Sequence, residues 1–132
     1  MKLFGWFQKQ EELPVADRKW NKMWDLWVEG NAESPYSELM EYESEVNNGG
    51  HSQYFFNVAN CGDVQAAAKV LLSILPEPLL SNFRKAYEAF SGQEDISDDV
   101  NDSLFDECDD IFGKYEQLIL DMLAAYAKSI EL

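Results

Sequence analysis

One histidine and two cysteines are all that this 132-residue chain offers toward nucleophilic or soft-metal chemistry. His51 and Cys61 form the nearest such pair, and a histidine beside a thiol can take its proton and leave a nucleophile. Ten residues and a helical stretch separate them, so a capping or packing histidine beside a buried cysteine explains both more simply. The chain has no phosphate-binding glycine loop, serine-hydrolase elbow or zinc-ligand spacing. The expectation is a non-enzymatic protein with no catalytic residue, no metal and no cofactor.

Oxygen ligands are far denser. Asp95 to Asp106 can be tested as a calcium loop, with Asp95 first, Ser97 third and Asp99 fifth. Val100 then stands where the loop must turn on glycine, and Asp106 where glutamate is preferred, so the match fails at the turn. A different pattern survives in the same stretch. Asp99, Asp102, Asp106 and either Asp109 or Asp110 recur every three or four residues, which on a helix makes one exposed ridge. At about 5.4 Å per turn, the ridge carries roughly one carboxylate each 5 Å, against one phosphate per 3.4 Å along a DNA strand. It reads either as a solvated, solubilising face or as a phosphate-like rail.

The wider composition gives that ridge its context. Asp and Glu number 25 against 10 Lys and Arg, for a net charge of −15. Duplex DNA is bound by neutralising its phosphates, and anionic lipid likewise attracts basic segments, so direct nucleic-acid binding and membrane association are both disfavoured. Residues 1–22 carry five basic and three acidic side chains, whereas the remainder carries five basic and 22 acidic. The anionic character belongs to the body. Nine acids fall between Glu94 and Asp110, with no lysine or arginine among them: Glu94, Asp95, Asp98, Asp99, Asp102, Asp106, Glu107, Asp109 and Asp110.

An apolar content of 46% suits a folded domain of this length and not a disordered acidic tail. No apolar run reaches the roughly 18 residues of a membrane span, and Leu3, Phe4, Trp6 and Phe7 are too few for a signal-peptide core. A cytoplasmic protein is expected, with Cys61 and Cys108 reduced and buried. Residues 1–15 read as a flexible or docked arm and residues 16–132 as the domain. Lys2 and Lys9 are too few to hold so anionic a body at acidic lipid.

Periodicity predicts an all-α domain of six or seven helices. Trp20, Met23, Trp24 and Trp27 share one face, ended by Gly30 and Asn31. Ser34 can cap the next helix with Pro35 in its first position. That helix turns Leu39, Tyr42 and Val46 inward and Glu38, Glu41 and Glu45 outward, until Asn47, Asn48, Gly49 and Gly50 stop it at a tight corner. Tyr54, Phe55 and Val58 mark a short helix that Cys61 and Gly62 break. Further helices follow at Val64–Leu75 and, after Pro76 and Pro78, at Leu79–Phe90. Ser97 opens the next, with Val100, Leu104, Cys108 and Ile111 inward. The last spans about Tyr115–Ile130, with Leu118, Ile119, Met122, Leu123 and Tyr126 inward.

The run Tyr42-Glu43-Ser44-Glu45-Val46-Asn47-Asn48-Gly49-Gly50-His51-Ser52-Gln53-Tyr54-Phe55-Phe56-Asn57 resembles the signature of a bacterial domain family that includes a DNA-mimic protein. The likeness extends from about Trp20 to the C-terminus, including Phe105, Asp106, Asp109 and Phe112. It implies an all-helical domain that presents carboxylates in place of DNA phosphates to a basic DNA-binding protein, with dimers forming the mimetic surface. The carboxylates would be the nine of Glu94 to Asp110 together with Glu38, Glu41 and Glu45. His51 stands where an aromatic or apolar residue is expected. The matching corner residues Glu45, Asn47, Asn48, Gly49, Gly50, Gln53, Tyr54 and Asn57 are either a structural corner or the floor of a small-molecule or peptide pocket. That pocket is the alternative function.

Overall fold

The computed structural model describes residues 13–92 and 98–132, the side chains of residues 98–101 excepted. The tryptophan stripe forms α1 (Val15–Val28), with Met23 fully buried and the indoles meeting edge to face at 5.6 Å for Trp24 and Trp27. Asn31 N–H donates to the Leu26 carbonyl and Gly30 N–H to that of Trp27. This pair of bonds needs a left-handed residue between helix and exit, and Gly30 supplies it at φ +79°.

Helix α2 (Tyr36–Cys61) consists of two helical halves that meet at the predicted corner, where Gly49 and Gly50 leave helical geometry. Pro35 takes the N-cap position without a side-chain bond, and the Ser34 hydroxyl donates to the Glu38 carboxylate at 2.9 Å instead of accepting from the free backbone amides as expected. A first-turn carboxylate within reach is the stronger acceptor. Helix α3 (Val64–Ile74) is capped as the residue types dictate: the Asp63 carboxylate accepts from Ala66 N–H at 3.1 Å. Asp63→Ala should therefore lower unfolding stability by about 1 kcal/mol, readable in a urea titration.

Helix α4 (Leu79–Ser91) follows the proline link, and α5 (Asp98–Lys128) covers 31 residues, about 46 Å. The expected break near Gly113 does not occur, because both halves share one buried stripe of Phe105, Cys108, Phe112, Ile119, Leu123 and Ala127. An exposed glycine in mid-helix is a tolerable penalty of about 1 kcal/mol. The described residues therefore hold five helices, the two halves of α2 counted as one, and no strand, against the six or seven helices that the periodicity suggests.

The long α5 packs against α1, α2 and α4, and α3 bridges α2 and α4. Tyr42, Tyr54, Phe55, Phe83, Phe105 and Phe112 fill the centre. Tyr42 meets Tyr54, Phe83 and Phe112 edge to face at 5.2–5.4 Å, the arrangement aromatic quadrupoles favour. Three inward assignments fail: Ile111 and Leu118 are exposed, and so is Cys61, at the last turn of α2. Both cysteines are free, and Cys108 is buried. No helix among the described residues is long and apolar enough to cross a membrane. The N-terminal arm through residue 12 and the Ser97 cap lie outside the described residues, as does the side chain of Val100.

Candidate functional site: a pinned glycine corner and an acidic helix

Gln53 and Asn57 follow Glu45 by eight and twelve residues, which on a straight helix would set them about 12 and 18 Å further along the axis. Both nevertheless donate to Glu45 Oε2, at 2.9 and 2.6 Å. The chain folds back at Gly49 (φ −153°, ψ 17°) and Gly50 (φ 79°, ψ −176°). The Gly50 conformation is essentially closed to residues with a side chain. A Cβ there would also fall on the Asp109 carboxylate, so the close approach of α5 and the backbone geometry demand glycine together.

His51, directly after the turn, is fully buried. Its backbone N–H donates to Asp109 Oδ1 at 2.8 Å, and its Nδ1 lies 2.6 Å from the same oxygen. Burial pushes the Asp109 carboxyl up, but the side-chain bond, the backbone bond and the charge of His51 outweigh it and hold Asp109 below the usual carboxylate range. An ionised Asp109 only accepts, so Nδ1 carries a proton. Nε2 pairs with the Tyr42 hydroxyl, 2.6 Å away, as acceptor when the ring is neutral and as donor when it is protonated. Burial, with the neighbouring Tyr54 next, lifts Tyr42 well above its ordinary value and keeps its proton in place. The chain Tyr42–His51–Asp109 is satisfied internally and ties both halves of α2 to α5.

A second clasp joins the same helices. Glu43 is 4% exposed and accepts from Asn47 Nδ2 at 2.6 Å. The same amide donates to Glu116 of α5. Burial, reinforced by the hydrogen bond and charge of Glu116 and opposed by Asn47, drives the Glu43 carboxyl up to about 9. The Glu43 bond, against burial and with help from Asn47, lowers Glu116. The pair thus holds one proton at neutral pH, on Glu43, and one negative charge, on Glu116. Glu43 Oε2 is buried without a hydrogen-bond partner, and a side-chain bond between the two carboxyl groups of Glu43 and Glu116 requires the proton that Glu43 keeps.

The predicted acids therefore divide. Asp102, Asp106, Glu107 and Asp110 are exposed, whereas Asp109 turns inward to His51 and leaves the ridge. Of the alternatives at its C-terminal end, Asp110 continues the row. Glu107 lies 4.0 Å from Lys85. On α2, Glu38 accepts from Ser34 and Ser37, and Glu45 closes the corner. Burial, then the charges of Glu45 and Glu38, raise Glu41, as expected of carboxylates crowded along one helix. All three are half-buried, not fully outward. Glu94 and Asp95 lie outside the described residues, and Asp98 and Asp99 are placed by their helical backbone alone.

Among the corner residues, the side chains of Asn47, Gln53 and Asn57 bond other side chains of the corner or of α5, Tyr54 is buried in the aromatic core, and Asn48 is exposed. Residues 98–106 are the start of α5 and not the turning loop that the calcium pattern requires. No group of three or more His, Cys, Asp or Glu among the described residues is placed to hold a metal. Sequence reasoning missed Glu43 and Glu116. The one available signal was spacing: Glu43 completes the face of Leu39, Tyr42 and Val46.

Fold and site together define a class: an all-helical domain whose double-glycine corner is locked onto a long acidic C-terminal helix. The chain belongs to the DMP19-like protein family, which it matches over residues 36–130. That span takes in the corner and all of α5, and it starts at α2, later than the Trp20 at which the sequence resemblance begins. No curated protein and no solved structure matches the chain.

Proposed function

We propose that this protein is a non-enzymatic DNA mimic, presenting fixed carboxylates to a basic DNA-binding protein in competition with nucleic acid. The observation that carries the reading is the row Asp102, Asp106 and Asp110, exposed on the longest helix of the fold. Four residues advance a helix by about 6 Å, so the row is a regular, rigid line of charge on a phosphate-like scale. Membership of the DMP19-like family supports it, and so does a net charge of −15. Partner capture would proceed by long-range steering, followed by close charge pairing.

The test is a competition assay. A DNA-binding partner recovered on the immobilised protein is loaded with duplex DNA, and the protein is titrated in at rising salt. Wild type should displace the DNA, less effectively as salt rises. Asp102→Asn, Asp106→Asn and Asp110→Asn together should weaken displacement by about tenfold or more at low salt and flatten the salt dependence. Unchanged displacement by the triple variant sinks the proposal.

A further inference from the structure

Among the described residues Phe56 is the one exposed aromatic side chain, at 67%, while its neighbour Phe55 is buried and stacks on Phe90 at 4.8 Å. Nothing in the fold requires a phenyl ring there. Ser52, Ala59 and Asn60, one turn to either side, are exposed and small, so the ring stands clear of its own helix. Its other neighbours carry charge chemistry. Phe56 lies three residues after Gln53 and directly before Asn57, the two residues whose amides hold Glu45. Both bonds fall on Oε2, which fixes the carboxylate without occupying Oε1.

We infer that Phe56 and Glu45 form a composite anchor for a basic, partly apolar segment of the partner. This inference rests on the mimicry reading and adds to it a contact that DNA itself lacks. An exposed ring on the same helical turn as the two amides that orient a carboxylate suits an arginine or lysine whose apolar stem lies along the phenyl face while its head meets the anion. The net charge of −15 makes a cationic segment the complementary occupant. Exposed aromatics that become buried on association carry a disproportionate share of binding energy, so the anchor gives the complex a component that salt does not screen.

Two synthetic peptides of equal charge test this, one with four arginines interleaved with four leucines and one with four arginines interleaved with four serines. At physiological salt the leucine peptide should bind wild type about tenfold more tightly than the serine peptide. Phe56→Ala should abolish that advantage and leave the serine peptide unchanged. Because Phe56 is exposed, the variant should melt with the wild type, and a thermal scan checks this. An undiminished advantage in Phe56→Ala overturns the anchor alone. Serine-peptide binding indifferent to the triple aspartate substitution overturns the mimicry reading alone, and failure of both peptides to bind at low salt overturns both. A particle mass that halves on Phe56→Ala in sedimentation would assign the ring to a second copy of the chain and likewise overturn the anchor.

Discussion

Gly50→Ala is expected to destabilise the domain by about 3 kcal/mol or more. Two penalties coincide. The backbone at φ 79°, ψ −176° lies in a region that residues with a Cβ enter only at about 1–3 kcal/mol. The added methyl group also meets the Asp109 carboxylate, which must retreat and give up both bonds from His51. Charge-assisted bonds of this kind contribute roughly 1.5–3 kcal/mol each, and His51 is too deeply buried to replace them with water. Gly30 is the control, because it has a positive φ of 79° but nothing within 4 Å of its would-be Cβ. Gly30→Ala should lose only about 1 kcal/mol. Equal losses for the two variants in urea unfolding would mean that the contact with α5 does not matter and that strain alone fixes the glycine.

The corner was legible in the sequence because its cause is local. Asn47-Asn48-Gly49-Gly50 contains the residue types that permit a reversal, and the reversal falls where they stand. The helix ends at Gly30 and Gly62 fall where the same kind of local signal stands. What holds the corner shut was not legible. Asp109 lies 58 residues from His51 and Glu116 69 from Asn47, and no spacing rule reaches that far. Asp109 has the same residue type and the same helical register as its neighbours, so in the sequence it joins the ridge. Only the approach of Gly50 removes it. Glu43 is the reverse case: spacing places it with Leu39, Tyr42 and Val46, but its residue type argues for solvent, and burial with a retained proton reconciles the two. The continuity of α5 through Gly113 is a tertiary effect, since the buried stripe on both sides outweighs a weak helix former.

That retained proton makes the fold sensitive to alkali, and Glu43→Gln should remove the sensitivity. Glu43 has an ordinary value of 4.5 and is lifted to about 9 in the folded protein. Between those values the folded state keeps a proton that the unfolded chain releases, so wild-type stability falls as pH rises from about 4.5 to about 9. The opposite shift of Glu116 acts only near and below its own ordinary value of 4.5, where stability is lost as pH falls. Glutamine keeps the shape, accepts from Asn47 and donates to Glu116 with no proton to lose. Relative to wild type, Glu43→Gln should be nearly neutral at pH 5 and more stable by about 4 kcal/mol at pH 8, since each pH unit in the window counts for about 1.4 kcal/mol. Urea unfolding of both proteins at several pH values is the measurement, and curves that run parallel from pH 5 to pH 9 would refute a shared proton. The same substitution should leave competition with DNA unchanged at pH 7, because a carboxyl that is already neutral and buried contributes nothing to the field a basic partner meets.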